Sequence, residues 1–145
     1  MADATYNEGL QDKHYNDWSS ASIEVLLLDN ADSPTFDPTH TYVADVLSAS
    51  GNTESSGTGY SRKSVPSRTV TRDDSNNRAE LDHGDITYSG ADFGEIGAAV
   101  YYRLVTDDTD SPVWFYKDSG FPAQTNGADF TLSTGSAGLV HDRDQ

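Results

Sequence analysis

Two apolar segments separated by a polar turn constrain the fold of this chain more than any of its other features. In the first, Glu95 to Val105, apolar side chains occupy every second position, as is typical of a β-strand. The alternation predicts one shared face for Ile96, Ala98, Val100, Tyr102 and Leu104. Polar residues 106–112 then precede a second apolar segment, Val113 to Tyr116. Together they predict a β-hairpin over residues 95–117.

Shorter segments of the same kind recur along the chain. The clearest is residues 21–29, in which Ile23, Val25 and Leu27 alternate with other side chains. Further short strands are predicted over residues 65–70, 78–81, 85–88, 128–132 and 139–140, with the last turns at Gly127 and residues 135–138. Asp37 and Pro38 suit a helix start, so one short helical insertion is predicted over residues 37–47. This spacing predicts a mainly β chain, an antiparallel β-sandwich or barrel-like domain.

A length of 145 residues suits one domain. We expect a single β-sandwich domain over residues 20–145, preceded by a polar N-terminal arm over residues 1–19. Two interpretations of the arm are open: it packs on a neighbouring subunit, or it is a frayed terminus with one docked turn. No signal peptide is predicted, since residues 1–4 lack a basic region followed by an apolar run. No apolar run is long enough to cross a bilayer.

The chain is strongly acidic. Asp and Glu number 24 against 9 Lys and Arg, for a net charge of −15, and 19 of the acidic residues are Asp. One interpretation is adaptation to high salt, where a Debye length of about 3 Å at 1 M screens self-repulsion. The other is binding of a basic partner or of divalent cations. The spread of the acidic residues along the chain favours the first, and the shortage of Lys and Arg argues against nucleic-acid binding.

Residue types that carry catalysis are present without catalytic spacing. The four histidines are too far apart in sequence for a ligand pair on one element. They are His14, His40, His83 and His141. There is no cysteine and no Gly-x-Ser-x-Gly motif. No catalytic residue, cofactor or metal ligand is predicted, and the chain is not expected to be an enzyme. Bound Ca²⁺ or Mg²⁺ is conceivable at residues 73–77 and 107–110, against a default of solvated turns.

Aromatic residues are concentrated on the predicted hairpin at residues 95–117. If one face packs in the core, the other still carries Tyr101, Arg103 and an aromatic of the return strand. Exposed Tyr, Trp and Arg are enriched in protein interfaces. The candidate interface residues are Tyr101, Arg103, Trp114, Tyr116, Tyr60 and Trp18. The alternative, a sandwich core with tyrosines that reach the surface, stays open.

Several segments, in the same order over roughly residues 15–133, resemble a family of tailed-phage virion proteins. The most specific is Glu54-Ser55-Ser56-Gly57-Thr58-Gly59-Tyr60. The others are 18–28, similar to an early strand of the family, 42–46, 77–88 and 97–102. The family is described as structural and head-associated, and it supplies no catalytic residues. The N-terminal arm and the excess acid depart from its pattern, and the acid resembles a version from a tailed virus of haloarchaea.

The resemblance implies a function in assembly. We expect a virion structural protein, most specifically a capsid decoration or turret protein that binds the shell of major capsid protein. It would be made in the host cytoplasm and lie on the capsid exterior as a homo-oligomer, with neither nucleic acid nor membrane as a partner. A tail component is the close variant. The exposed aromatics and the Asp-rich turns support a competing hypothesis, a carbohydrate- or cell-surface-binding β-sandwich that uses calcium.

Overall fold

The computed structural model describes residues 4–13, 15–134 and 139–142, without the side chains of 140–142. Its elements in chain order are β1 (Ala4–Thr5), α1 (Asn7–Asp12), β2 (Ile23–Asp29), α2 (Val43–Ser48), β3 (Lys63–Ser64), β4 (Thr69–Asp73), β5 (Arg78–Asp82), β6 (Ile86–Tyr88), β7 (Glu95–Arg103), β8 (Val113–Lys117), β9 (Ala123–Gln124), β10 (Phe130–Leu132) and β11 (Val140–Asp142). The strands pair antiparallel, so the prediction of a mainly β, sandwich-like fold is confirmed. Within the described ranges, no helix has the length and apolar character needed to span a membrane.

One sheet forms the centre of the molecule, in the order β1-β8-β7-β2-β3, and β9 also pairs with β7. Its longest ladder joins β2 and β7, from Ile23 opposite Arg103 to Asp29 opposite Ile96. The hairpin predicted over residues 95–117 is β7–β8. Two smaller sheets, β10-β6 and β11-β5-β4, complete the fold.

Both faces of the central sheet are covered. One face packs against residues of the smaller sheets, in a cluster that includes Val25, Leu27, Tyr88, Tyr101 and Phe115. The other packs against the N-terminal segment and α2, in a cluster that includes Tyr6, Leu26, Val43, Val100 and Tyr102. Because each face is buried, residues 25–28 of β2 are all apolar rather than alternating.

Gly97 interrupts the alternation of β7. Leu28 pairs with Ala98 and Asp29 with Ile96, so Gly97 is the extra residue of a β-bulge. A Cβ at Gly97 would lie 2.6 Å from Cγ of Pro34, which excludes any larger residue there. The predicted common face is therefore wrong at both ends. Ile96 packs on the face opposite to Ala98, Val100 and Tyr102, and Leu104 lies beyond the end of β7, 37% exposed.

The described part of the N-terminal segment is integrated into the fold. β1 pairs with β8, with Ala4 opposite Tyr116, and the side chains of Tyr6 and Trp18 are buried. The expected boundary at residue 19 thus matches no change in packing. Parts of residues 4–13 and 15–19 therefore pack on their own chain, while Leu10 and Tyr15 stay exposed, and an arm contact with a neighbouring subunit stays a prediction.

Two further predictions need correction, and a third falls outside the described residues. The helical insertion is α2, which begins after Tyr42, whose N–H donates to Asp45 Oδ2 at 2.9 Å. Asp37 instead caps a turn, where its Oδ1 accepts the N–H of Thr39 at 2.9 Å. A second helix, α1, accompanies it. The strand predicted over residues 65–70 begins only at Thr69, since Pro66 cannot donate to a ladder. The turn predicted at 135–138 lies outside the described residues.

Candidate functional site

Four of the six candidate interface residues are buried within the chain itself. Trp18, Tyr101, Trp114 and Tyr116 are each at most 3% exposed, and Arg103 and Tyr60 are half-buried. The expectation of an exposed aromatic surface on β7–β8 is therefore wrong. It assumed that one face of the hairpin meets solvent, whereas both faces of the central sheet are covered.

The polar atoms of this group bond to one another. The carboxylate of Asp12 accepts from Arg103 Nε at 2.7 Å, from Trp114 Nε1 at 2.8 Å and from Asn16 Nδ2 at 2.9 Å. Burial opposes ionisation of Asp12, but these hydrogen bonds outweigh it and lower the pKa of the carboxyl. Arg103 and Trp114 thus fasten α1 to the central sheet rather than face a partner.

Trp18 fastens the N-terminal segment to β5. Its Nε1 donates to the carbonyl of Asp82 at 3.0 Å, and its own carbonyl accepts from Arg68 Nε at 2.6 Å. The Arg68 guanidinium lies 5.8 Å from the Trp18 ring and also donates to the carbonyl of Ala21. The Tyr116 hydroxyl donates to the carbonyl of Pro34 at 3.3 Å. Each contact is internal to the chain.

The Glu54–Tyr60 loop, the most specific segment of the resemblance, forms a structural joint at the edge of β2. The Tyr60 hydroxyl donates to Glu54 Oε2 at 2.5 Å and accepts the N–H of Leu27 at 3.2 Å. Gly59 adopts φ +83°, and a Cβ there would lie 2.7 Å from the carbonyl oxygen of Gly90. The loop therefore needs its glycine and its Glu–Tyr pair for its geometry.

Arg62 ties this loop to the turn between β7 and β8. Its guanidinium bonds both carboxylate oxygens of Glu54, at 2.8 and 2.9 Å, and both of Asp108, at 2.5 and 2.9 Å. Hydrogen bonds from Arg62 lower the pKa of Asp108. Next to it, the Tyr102 hydroxyl donates to Glu24 Oε1 at 2.8 Å. One guanidinium therefore holds two carboxylates through paired, charge-assisted hydrogen bonds, an arrangement that suits a structural clamp.

The Asp-rich turns use their carboxylates on their own backbone. Asp107 Oδ1 accepts the N–H of Thr109 at 2.8 Å, and Asp110 Oδ1 accepts the N–H of Thr106 at 3.0 Å. In the other turn, Asp73 accepts from the side chain of Asn76 at 2.8 Å. Across the part of the chain that is described, no group of three or more His, Asp or Glu residues could hold a metal ion. The carboxylates of Asp73, Asp107 and Asp110 thus accept local hydrogen bonds within their own turns.

His83 lies in the core. Its Nε2 accepts from the Tyr101 hydroxyl at 2.7 Å and its Nδ1 donates to the carbonyl of Gly84 at 2.7 Å, an assignment made from the two partners. Burial lowers the pKa of His83, so the ring is neutral near pH 7. His14 and the side chain of His141 lie outside the described residues.

Two shallow hollows lie on the described surface. One is lined by residues 20–24 with Ser64, Arg68 and Leu104. The other is lined by Lys117, residues 119–121 and residues 130–133. The serines of the first have no histidine beside them, and the Lys117 amine of the second donates to Ser119 Oγ at 2.7 Å.

The feature that the sequence patterns missed is the outer strand β4. Thr69, Val70, Thr71 and Arg72 are all exposed, and Val70 retains 51% of its surface. β5 covers one edge of β4, and no other described strand covers its second edge. The sequence did contain a sign of this exposure, since Val70 is the single apolar residue of β4 and the strand has no apolar face to bury.

Comparison with known family models, with curated proteins and with solved structures finds no match for this chain.

Proposed function

We propose that this chain is a non-enzymatic structural protein of a virus particle, a decoration or turret protein on the exterior of a capsid. It would bind the shell of major capsid protein and stabilise it by burying surface. The observation that carries the proposal is the exposed β4–β5 hairpin, whose solvent-facing side chains at residues 69–72 offer an attachment surface.

The ionisable side chains that could carry chemistry are instead held by hydrogen bonds within the chain, which supports the same function. The carboxylates of Asp12, Glu54 and Asp108 accept from arginines, and the ring of His83 is held by two hydrogen bonds. Groups committed in this way rigidify a fold, as an attached shell protein requires.

The distribution of acid supports a particle that works in high salt. Carboxylates at Asp37, Asp73, Asp107 and Asp110 hold exposed turns by accepting from nearby backbone or side chains. Short carboxylates of this kind keep a surface hydrated while dense salt screens their mutual repulsion. A tailed virus of a haloarchaeon would supply that environment.

The carbohydrate-binding alternative depended on exposed Tyr and Trp side chains. Because Trp18, Tyr101, Trp114 and Tyr116 are buried, the platform on which a sugar ring would stack is missing from this set. The alternative that the chain is a tail component is supported by the same observations as the capsid proposal. Only the position of the protein in the virus particle distinguishes the two.

The proposal is tested on purified virions of the virus that encodes the chain. Mass spectrometry is expected to detect the chain at a copy number near that of shell subunits, and gold-labelled antibody is expected to decorate the head. Label at the tail would move the protein to a tail function. Absence of the chain from intact particles would contradict the proposal.

A further inference from the structure

We propose that β4 is a self-association edge, through which two copies of this chain pair antiparallel about a twofold axis. The inference rests on the proposed function for its purpose, since a paired molecule gives a shell-binding protein two linked attachment surfaces. It rests on the geometry of β4 for everything else.

The first step is the state of the backbone of β4. Its ladder to β5 is unbroken over five residue pairs, from Thr69 opposite Asp82 to Asp73 opposite Arg78. Beyond that ladder, residues 69–72 make no backbone hydrogen bond with any other part of the chain that the structure describes. A row of N–H and C=O groups along an exposed edge is a template for another strand.

The second step is the composition of β4. Thr69, Val70 and Thr71 are β-branched and favour extended backbone. Exposed edges are commonly protected by proline, lysine or a bulge, and none of these interrupts β4. Arg72 is the single charge before the strand ends at Asp73.

The third step is charge. Residues 55–72 contain no acidic residue and four basic ones, within a chain of net charge −15. Residues 68–74 carry two Arg and two Asp, so that segment is neutral. Two copies that approach through acidic surfaces repel one another, whereas the edges of β4 meet without net repulsion.

The fourth step is register. In an antiparallel pair about a twofold axis, one residue lies opposite its own copy. Centring the pair on Thr71 sets Val70 opposite Arg72 of the second copy, whose aliphatic stem covers the exposed valine. Thr69 then lies opposite Asp73 of the second copy, within reach of a hydrogen bond.

The neighbouring registers are unfavourable. Centring the pair on Val70 would set Arg68 opposite Arg72, and centring it on Arg72 would set two Arg72 side chains face to face. Like charges directly opposite one another destabilise a strand pair. The register through Thr71 joins two three-stranded sheets into one continuous sheet.

The test uses the absence of cysteine from the chain. Antiparallel pairing places Thr71 and its copy about 4.5–5.5 Å apart at Cα, within the range that a disulfide spans. Under mild oxidation in molar salt, T71C is expected to form a linked dimer in most of the protein. T87C is the matched control, since Thr87 is an exposed strand threonine on β6, and it should link only at the collision background.

Sedimentation of the unmodified chain in molar salt supplies the second measurement. We expect a dimer that T71K weakens at least tenfold and that T87K leaves intact, with circular dichroism showing that both variants fold. A monomer at the highest attainable concentration, with T71C linking no faster than T87C, would overturn the inference.

Two mixed outcomes separate the inference from the proposed function. A dimer linked through T71C in a chain that is absent from virions supports self-association and contradicts the capsid function. A monomeric chain whose binding to isolated shells is lost in T71K overturns self-association, because β4 then docks on the shell protein.

Discussion

The hairpins β7–β8 and β4–β5 are both antiparallel and both close through an Asp-containing turn, yet their surroundings are opposite. Every residue of β8 is buried, whereas the first four residues of β4 are exposed. The aromatics of β7–β8 fill two core layers, while β4 offers one valine to its surroundings. In this molecule the segments rich in aromatic residues form the core. The surface that is available for contact is a strand edge that exposes little apolar area.

The largest effect is expected at the buried hairpin. W114A removes a fully buried ring and the donor to Asp12, and should cost about 3–5 kcal/mol of unfolding free energy. Chemical denaturation in molar salt followed by circular dichroism measures it, with V70A on β4 as the control. A loss for W114A no greater than that of V70A would erase the contrast between the hairpins.

A smaller effect is expected where the buried hairpin meets α1. D12A leaves the side chains of Arg103 and Trp114 without their acceptor, and should cost about 2–3 kcal/mol. D12N, which keeps the shape and one acceptor oxygen, should cost less. Equal stability of D12A and the unmodified chain would show that this contact contributes nothing.

The same carboxylate predicts a dependence on acid. Its pKa is lowered in the folded chain, so its contribution is complete above about pH 4, the unfolded value, and is lost as pH falls through the folded value. Below about pH 4 the unmodified chain should therefore lose more stability than D12N. Parallel titration curves for the two proteins would contradict this assignment.

His83 predicts a second pH dependence, closer to neutrality. Burial lowers its pKa, so below about pH 6.5 the unfolded chain binds a proton that the folded chain resists, and stability falls. H83Q should flatten this slope and, because it removes the ring nitrogen that accepts from the Tyr101 hydroxyl, cost about 1–2 kcal/mol at neutral pH. An unchanged slope in H83Q would assign the effect to other groups.

The Arg62 clamp should contribute about 1 kcal/mol, because its side chain is one-quarter exposed and solvent screens the pair. R62Q removes the fork that joins Glu54 to Asp108. The loss should be larger in dilute buffer than in molar salt. R72Q is the matched control, since Arg72 pairs with Asp74 in full exposure.

The smallest effect on stability is expected at β4. T71K should change the unfolding free energy by less than about 0.5 kcal/mol when measured on the monomer at high dilution. A cost as large as that of D12A would mean that the hairpin supports the core, and the contrast between the two regions would fail.

The strands of the central sheet are predictable because their apolar content is local. Residues 21–29 and 95–105 show strand patterns that can be recognised without knowledge of any distant contact. The faces of β7 are not predictable from alternation alone, since the bulge at Gly97 reverses the side on which Ile96 lies. An isolated glycine inside a strand pattern was the available signal.

The burial of the candidate interface residues depends on contacts between distant parts of the chain. Trp114 is covered because Asp12, 102 residues earlier, accepts its indole N–H, and no local pattern encodes that pairing. The N-terminal segment docks through few side chains, among them the buried ring of Tyr6 and the buried carboxylate of Asp12. Its remaining residues can therefore be polar, and the segment shows no apolar pattern in the sequence. The exposed β4 edge follows from topology, which sequence periodicity does not specify.

The contact between Asp12 and Trp114 also bears on the order in which the molecule is made. During synthesis the segment that contains β1 and α1 emerges before the strand on which it docks, which follows about a hundred residues later. This segment can therefore reach its place only after β8 has been made. A ribosome-bound chain that stops before residue 113 should hold residues 4–12 undocked, and extension of the chain through β8 should allow them to dock.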